Sequence, residues 1–240
     1  IKEFKVFEGK PEEKITRLEV PACNCIELQE QRRKSAAEEK EKKERLDKLF
    51  ENSLITPYFK KKTFENLQKK AVEYGNEKEL KRLYQYAQNF KKNEMPGIFL
   101  TGKPGVGKTS MLAAVSNELI QRGFNVLFVT FSALMERFLK YSAEHNGDIY
   151  PLLMWLVKFD FVVIDDIGRE NYTDRRKEIA YRIIDTLLNY EIPTGFTANP
   201  EMLDKLRKIE DWGAVLDRLK DICGLAINFK GESVRGRKWQ

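Results

Sequence analysis

Short apolar runs alternate with amphipathic stretches from residue 77 onward. Apolar runs typical of buried strands occupy residues 98–101, 125–130, 161–164, 194–197 and 225–229. Between and before them, apolar positions recur every three or four residues, which predicts helices over residues 77–91, 110–120, 133–142, 149–158, 175–190, 200–209 and 212–222. Apolar strands that alternate with helices form parallel sheets covered on both faces. The pattern therefore predicts an α/β fold with a five-stranded parallel sheet between helices.

The first fifty residues follow a different pattern. Residues 1–22 alternate loosely between apolar and polar positions, which favours two short strands. Residues 26–50 contain no Gly or Pro and carry charges of both signs three and four positions apart, as in a long solvated helix. We therefore divide the chain into residues 1–50, a cysteine-containing region with a charged linker helix, and residues 51–240, the α/β domain.

The composition indicates a globular protein without a membrane segment. Hydrophobic residues make up 42% of the chain and charged residues 33%, which is typical of globular domains. No stretch approaches the ~20 apolar residues that a membrane span requires, and the N-terminus has no apolar signal region. Three cysteines, two of them almost adjacent, fit a reducing compartment. We expect a cytoplasmic protein without a membrane partner, and its net charge of +6 permits a nucleic-acid partner.

The strongest chemical signal follows the strand predicted at residues 98–101. Residues 102–109 read Gly-Lys-Pro-Gly-Val-Gly-Lys-Thr, a full match to the phosphate-loop pattern G-x-x-x-x-G-K-[ST]. The glycines permit a tight turn and bring backbone N–H groups close to phosphate oxygens, and the start of the following helix favours an anion. Lys108 can reach the β- and γ-phosphates, and Thr109 can complete a Mg²⁺ shell. The predicted nucleotide-binding residues are Gly102, Lys103, Pro104, Gly105, Val106, Gly107, Lys108, Thr109 and Ser110.

Two adjacent carboxylates, Asp165 and Asp166, follow the strand predicted at residues 161–164. In a parallel sheet the ligand lies beyond the carboxyl ends of the strands, so both acids are expected beside the phosphates. Asp165 is predicted to hold Mg²⁺ together with Thr109, directly or through water, and Asp166 to orient and polarise the attacking water. The alternative is that the two acids only cap the following turn.

Two further clusters leave alternatives open. Cys23 and Cys25 could share a zinc ion, but a closed site needs four ligands, and the remaining candidates, His145 and Cys223, fall in other predicted elements. Either the other ligands lie upstream of the given sequence or the two cysteines are unliganded thiols. Residues 60–62 are three lysines, which we interpret as a solvated linker run in preference to a contact with a nucleic-acid backbone.

The order of these motifs resembles that of the AAA+ ATPases. The Phe-Thr-Ala-Asn segment that ends at Asn199 is similar to sensor 1 of that family, which implies that Asn199 helps to hold the water near the γ-phosphate. Arg218 resembles the arginine finger that one subunit extends into its neighbour's site. The Gly-Glu-Ser-Val-Arg segment that ends at Arg235 resembles the sensor 2 region, with Arg237 as a rival. For these arginines the alternative is a surface salt bridge.

More narrowly, the chain resembles the DnaC/DnaI-type loaders of the replicative DNA helicase, including those encoded by phages and prophages, and the related IstB transposition ATPases. The resemblance covers nearly the whole chain, from the cysteine region through residues 55–58 and 63–67 to Arg235. It implies ATP and Mg²⁺ as ligands, the replicative helicase and single-stranded DNA as partners, and a hexameric or spiral homo-oligomer. An Asp-Asp pair in place of the common Asp-Glu implies slow hydrolysis. Because about five residues follow Arg235, we expect no C-terminal lid domain.

In these relatives the segment between the second and third strands holds an extra helix that faces a central channel, where single-stranded DNA binds. Here that segment carries Arg137 and Lys140, which the resemblance implies are DNA contacts. Its aromatic residues have two interpretations, since Leu134, Phe138 and Tyr141 have the helical spacing of a core stripe, while aromatic rings beside cations also suit base stacking.

Three functions follow from these features. The first is an ATP-dependent helicase loader, which the cysteine pair favours. The second is a transposition helper similar to IstB that acts on duplex DNA with a transposase. The third is a nucleotide-gated scaffold that binds ATP with little hydrolysis.

Overall fold

The computed structural model describes residues 25–168, 173–209 and 212–230, and only the backbone of residues 25–30. Contacts divide the chain into two units, Ile1–Arg45 and Leu46–Gln240. Helix α1 spans Cys25–Asn52, and its described side chains are mostly exposed. The predicted boundary at residue 50 and the expected absence of a lid domain stay predictions. Among the described residues, no helix has both the length and the apolar character needed to cross a bilayer.

Five strands form one parallel sheet, as the alternating pattern predicts. They are β1 (Gly97–Gly102), β2 (Val126–Thr130), β3 (Phe161–Ile167), β4 (Thr194–Ala198) and β5 (Cys223–Phe229). Their order is β2-β3-β4-β1-β5, and every pair is parallel. Strand β4 therefore lies between the strand that precedes the phosphate loop and the strand that carries the two acids. The carboxyl ends of these three strands meet at one edge of the sheet.

Helices cover both faces of the sheet. On one face the helices Phe131–Glu144, Tyr150–Leu156, Asp174–Asn189 and Trp212–Ile222 pack on Leu127, Val162 and Ile164. On the other face the helices Phe64–Glu73, Glu77–Gln88 and Lys108–Gln121 pack on Phe128 and Val163. Alternate residues of β3 point to opposite faces, which is why its apolar run is unbroken. The helices after α1 are α2 (Pro57–Lys60), α3 (Phe64–Glu73), α4 (Glu77–Gln88), α5 (Lys108–Gln121), α6 (Phe131–Glu144), α7 (Tyr150–Leu156), α8 (Asp174–Asn189), α9 (Pro200–Leu206) and α10 (Trp212–Ile222).

Candidate nucleotide-binding site

The phosphate loop connects β1 to α5 and depends on glycine at three positions. The backbone φ angles of Gly102, Gly105 and Gly107 are +146°, +87° and +97°, values that other residues adopt only with strain. At Gly102 a Cβ atom would also lie 2.8 Å from the carbonyl oxygen of Phe229. Helix α5 begins at Lys108 without a side-chain cap. Its first N–H groups can therefore bind an anion.

Lys108 is buried at the centre of this loop. Its Nζ donates to the carbonyl oxygens of Gly102 and Lys103, at 2.7 and 3.0 Å, and to Oδ1 of Asn199, at 2.9 Å. Asn199 follows β4 and is itself buried. The structure thus brings the predicted phosphate-binding lysine and the predicted sensor residue into direct contact.

Asp165 of β3 lies beside the start of α5. The hydroxyl of Thr109 is 3.0 and 3.1 Å from its two carboxylate oxygens, and Oγ1 of Thr197 donates to Asp165 Oδ1 at 2.7 Å. Two oxygens that bind Mg²⁺ about 2.1 Å from the ion, at adjacent octahedral positions, lie about 3.0 Å apart. The Thr109 and Asp165 oxygens therefore fit the predicted Mg²⁺ site, with phosphate oxygens and water as further ligands.

Burial raises the pKa of Asp165 above its usual value. The hydrogen bonds from Thr197 and Thr109 and the positive charge of Lys108 oppose this effect, while the neighbouring carboxylate of Asp166 adds to it. The two hydroxyls therefore help to keep the carboxylate ionised, which is the form that binds a metal ion.

A β-bulge in β3 determines the positions of Asp165 and Asp166. The strand predicted to end at Ile164 continues to Ile167, and the register with β4 shifts between them, so that β3 carries one extra residue. Asp166 has a φ of +62°, and its backbone N–H donates to Thr197 Oγ1 at 2.8 Å. Thr197 thus contacts both acids. Its role was not predicted, although it belongs to the segment that resembles sensor 1.

Arg218 lies on α10, and its contacts are with α8. Its Nε donates to Asp185 Oδ1 at 2.8 Å, and its guanidinium lies 4.3 Å from the ring centre of Tyr181. This is the salt bridge that the sequence left open as an alternative. The arginine-finger role stays a prediction, because it needs a second subunit.

The predicted DNA contacts lie on the exposed side of α6. The Arg137 guanidinium stacks 4.3 Å from the Trp155 ring, and Lys140 Nζ lies 4.0 Å from Glu144. Leu134 and Phe138 belong to the core. The core interpretation is therefore correct for these two residues.

Several predicted residues are not described. Cys23 and Arg235 lie outside the described residues, as does the rival Arg237, and only the backbone is described at Cys25. Within the described part of the chain, no group of three or more His, Cys, Asp and Glu side chains could hold a metal ion. His145 instead contacts the carbonyl oxygen of Tyr141. Zinc stays a prediction.

Sequence comparison identifies the family. The family model of the IstB-like ATP binding protein matches residues 31–240. The chain belongs to this family of ATP-binding proteins. Among the relatives of this IstB-like chain, the replicative helicase loader DnaC of Escherichia coli K12 is 30% identical over 205 residues, covering 85% of this chain and 82% of that protein. The DnaC loader of Buchnera aphidicola subsp. Baizongia pistaciae is 31% identical over 198 residues, covering 82% and 78%. The resemblance to the DnaC loaders is thereby confirmed.

Solved structures confirm the fold. A crystal structure of DnaI aligns with a TM-score of 0.60 at 21% identity, covering 76% of this IstB-like chain and 95% of that chain. A crystal structure of the DnaC helicase loader aligns with a TM-score of 0.55 at 23% identity, covering 65% and 90%. DnaA from Aquifex aeolicus bound to AMPPCP aligns with a TM-score of 0.59 at 21% identity, covering 74% and 51%. These structures share the α/β fold of the chain, with its five-stranded parallel sheet.

Proposed function

We propose that this protein is an ATP-dependent loader that delivers the replicative DNA helicase to single-stranded DNA. The observation that carries the proposal is its identity to the DnaC loaders across most of both chains. The phosphate loop, Asp165 and Asn199 supply the residues that a nucleotide-controlled loader needs, and they meet at one edge of the sheet.

The nucleotide changes the contacts of Lys108. A triphosphate competes for its ammonium group with Asn199 and with the loop carbonyls that bind it here. The departure of Lys108 frees the Asn199 amide to bind the water near the γ-phosphate. Thr109 and Asp165 would hold Mg²⁺, which would neutralise phosphate charge when bound. Asp166 then orients the attacking water.

Arg218 completes the site from a neighbouring subunit. To reach the γ-phosphate bound by the neighbouring subunit, Arg218 must leave Asp185. The guanidinium then exchanges a carboxylate partner for a phosphate partner and stays paired with an anion. Assembly into a hexamer or spiral then depends on bound ATP.

The expected result of Arg218→Ala is loss of assembly with a non-hydrolysable ATP analogue, measured by light scattering after size exclusion. Arg207→Ala is the matched control, because Arg207 also has a carboxylate partner, Asp204, at 3.0 Å. Equal assembly of both variants contradicts the finger assignment.

The main test is capture of the cognate replicative helicase. The immobilised protein should retain the helicase, and single-stranded DNA should be bound when ATP or its non-hydrolysable analogue is present. Lys108→Ala should remove the nucleotide dependence. A protein that retains no helicase under any nucleotide condition contradicts the loader assignment.

The second candidate is a transposition helper, which the match to the IstB-like family model favours. Such a protein acts on duplex DNA with a transposase. Preferential ATP-dependent binding to duplex over single-stranded DNA of the same sequence, without helicase capture, would select this candidate.

A further inference from the structure

The lysine run at residues 60–62 has the exposed side chains expected of a solvated run, but its backbone is held by α5 and is not that of a free linker. Asn117 of α5 is 4% exposed. Its Nδ2 atom contacts the carbonyl oxygens of Phe59, Lys60 and Lys62 at 2.9, 3.2 and 2.7 Å. A buried amide that bonds to three carbonyls of one turn holds that turn against the helix.

An aromatic contact holds the same turn from the side of the sheet. Phe59 is half-buried, and its ring centre lies 5.5 Å from that of Phe128 in β2. The turn is thus fixed by α5 and by the edge strand. The side chains of Lys60 and Lys61 remain exposed, and that of Lys62 is partly exposed.

Aromatic rings orient two of the three lysine charges without neutralising them. Lys62 Nζ lies 4.1 Å from the ring centre of Tyr58, and Lys60 Nζ lies 5.2 Å from that of Phe50. Aromatic faces attract a cation but leave its charge in place. In the part of the chain that the structure describes, none of the three lysines forms an ion pair with a carboxylate.

We propose that this turn, residues 57–62, is a phosphate-binding platform for single-stranded DNA. Two oriented cations, Lys60 and Lys62, together with the exposed Lys61 and with Tyr58, which is 64% exposed, suit sequence-independent binding of a single strand. The inference rests on the proposed function in DNA loading, and it adds a contact surface to the predicted DNA contacts Arg137 and Lys140.

The platform is separate from both sites described above. Asn117 follows Lys108 by nine positions in α5, which is about 14 Å along the helix axis. Helix α6, with Arg137 and Lys140, packs on the opposite face of the sheet. Substitutions in the platform should therefore leave nucleotide binding unchanged.

The test compares two variants with equal loss of charge. The platform variant is Lys60→Gln, Lys61→Gln and Lys62→Gln. The control variant is Lys78→Gln, Lys81→Gln and Arg82→Gln, which replaces three exposed cations on α4. Binding to a fluorescein-labelled polythymidine strand is measured by anisotropy at several salt concentrations with a saturating non-hydrolysable ATP analogue. Nucleotide affinity and thermal unfolding are measured in parallel.

A plot of the logarithm of the DNA association constant against the logarithm of the salt concentration has a negative slope. Loss of three phosphate contacts should make this slope shallower by about 2. The affinity lost by the platform variant should therefore be roughly 100-fold greater at 0.1 M salt than at 1 M salt. The control variant should keep the wild-type slope. Equal slopes for the platform variant and wild type, or a wild type that binds no single strand, overturn the proposal. A platform variant that loses helicase capture while its DNA affinity is unchanged also overturns it, and assigns the surface to an acidic protein. Failure of the loader function is distinguishable, because helicase capture is then absent while platform-dependent DNA binding persists.

Discussion

Thr197→Val tests how the site holds its two acids. Valine has nearly the shape of threonine, so the substitution removes the hydroxyl and little else. The hydroxyl donates to Asp165 Oδ1 at 2.7 Å and accepts from the Asp166 N–H at 2.8 Å. One atom therefore fixes the carboxylate that faces Thr109 and the bulge that carries the second acid.

The expected magnitude follows from these two bonds. A hydrogen bond to a charged group contributes about 1.5–3 kcal/mol, and a backbone N–H left without its partner costs about 1 kcal/mol. The nucleotide-free protein should lose roughly 2–4 kcal/mol of unfolding free energy at neutral pH. Residues that orient a metal ligand typically affect metal affinity or activity by about 10- to 100-fold. We expect a loss of that size in the apparent Mg²⁺ affinity.

The pH dependence has a defined sign. Burial raises the pKa of Asp165 in the folded protein, and the Thr197 hydrogen bond opposes that rise. The variant should raise this pKa further, because it removes a donor to the charged form. The stability difference between variant and wild type should therefore be largest above the raised pKa. It should shrink as pH falls through that pKa, where Asp165 becomes protonated.

The assay separates this role from general loss of structure. ATP hydrolysis is measured against Mg²⁺ concentration, and binding of a fluorescent ATP analogue is measured with and without Mg²⁺. Thr197→Val should weaken Mg²⁺-dependent binding and leave metal-free binding within about twofold, because it acts through Asp165, the predicted Mg²⁺ ligand. Thr197→Ser, which keeps the hydroxyl, should retain wild-type Mg²⁺ dependence. A valine variant with wild-type Mg²⁺ dependence, or a serine variant equally impaired, would refute the reasoning.

Two further substitutions test the acid and the loop. Asp166→Asn should reduce phosphate release by about 10²- to 10⁴-fold while ATP affinity is retained, whereas an unchanged release rate would favour the nucleotide-gated scaffold. Gly102→Ala should abolish nucleotide binding, because its Cβ would lie 2.8 Å from the Phe229 carbonyl oxygen. Gly75→Ala is the control in binding and thermal unfolding, since Gly75 also has a positive φ, +67°, with open space around it. A Gly102→Ala variant that binds ATP normally would contradict the argument from this steric clash.

The sequence alone was sufficient to predict the sheet and most helices. Unbroken apolar runs such as residues 161–164 identify strands buried on both faces, and these strands are present. Helix α3 was not predicted. Only Leu67 and Ala71 of its ten residues are buried, so its apolar stripe is short, and its packing depends on α4 and α5.

The strand order and the β-bulge cannot be predicted from the sequence, for a physical reason. A bulge is a mismatch between two strands, and Ile167 is paired with Ala198 only because β4 lies beside β3. The pattern of apolar residues in β3 alone does not indicate which strand lies beside it. The same limit applies to Asn117, whose three acceptors lie more than fifty positions earlier in the chain.

The end of β4 connects the parts of the site that the motifs present separately. Thr197 bonds to both acids of β3, and Asn199, two positions later, bonds to Lys108 of the phosphate loop. A triphosphate competes directly only with the bond between Asn199 and Lys108, because Lys108 is the predicted phosphate ligand. Nucleotide binding should therefore break the contact at Asn199 while Thr197 keeps β4 attached to the acids. Asn199 immediately precedes α9. The change of its hydrogen-bond partner therefore takes place at the start of a helix.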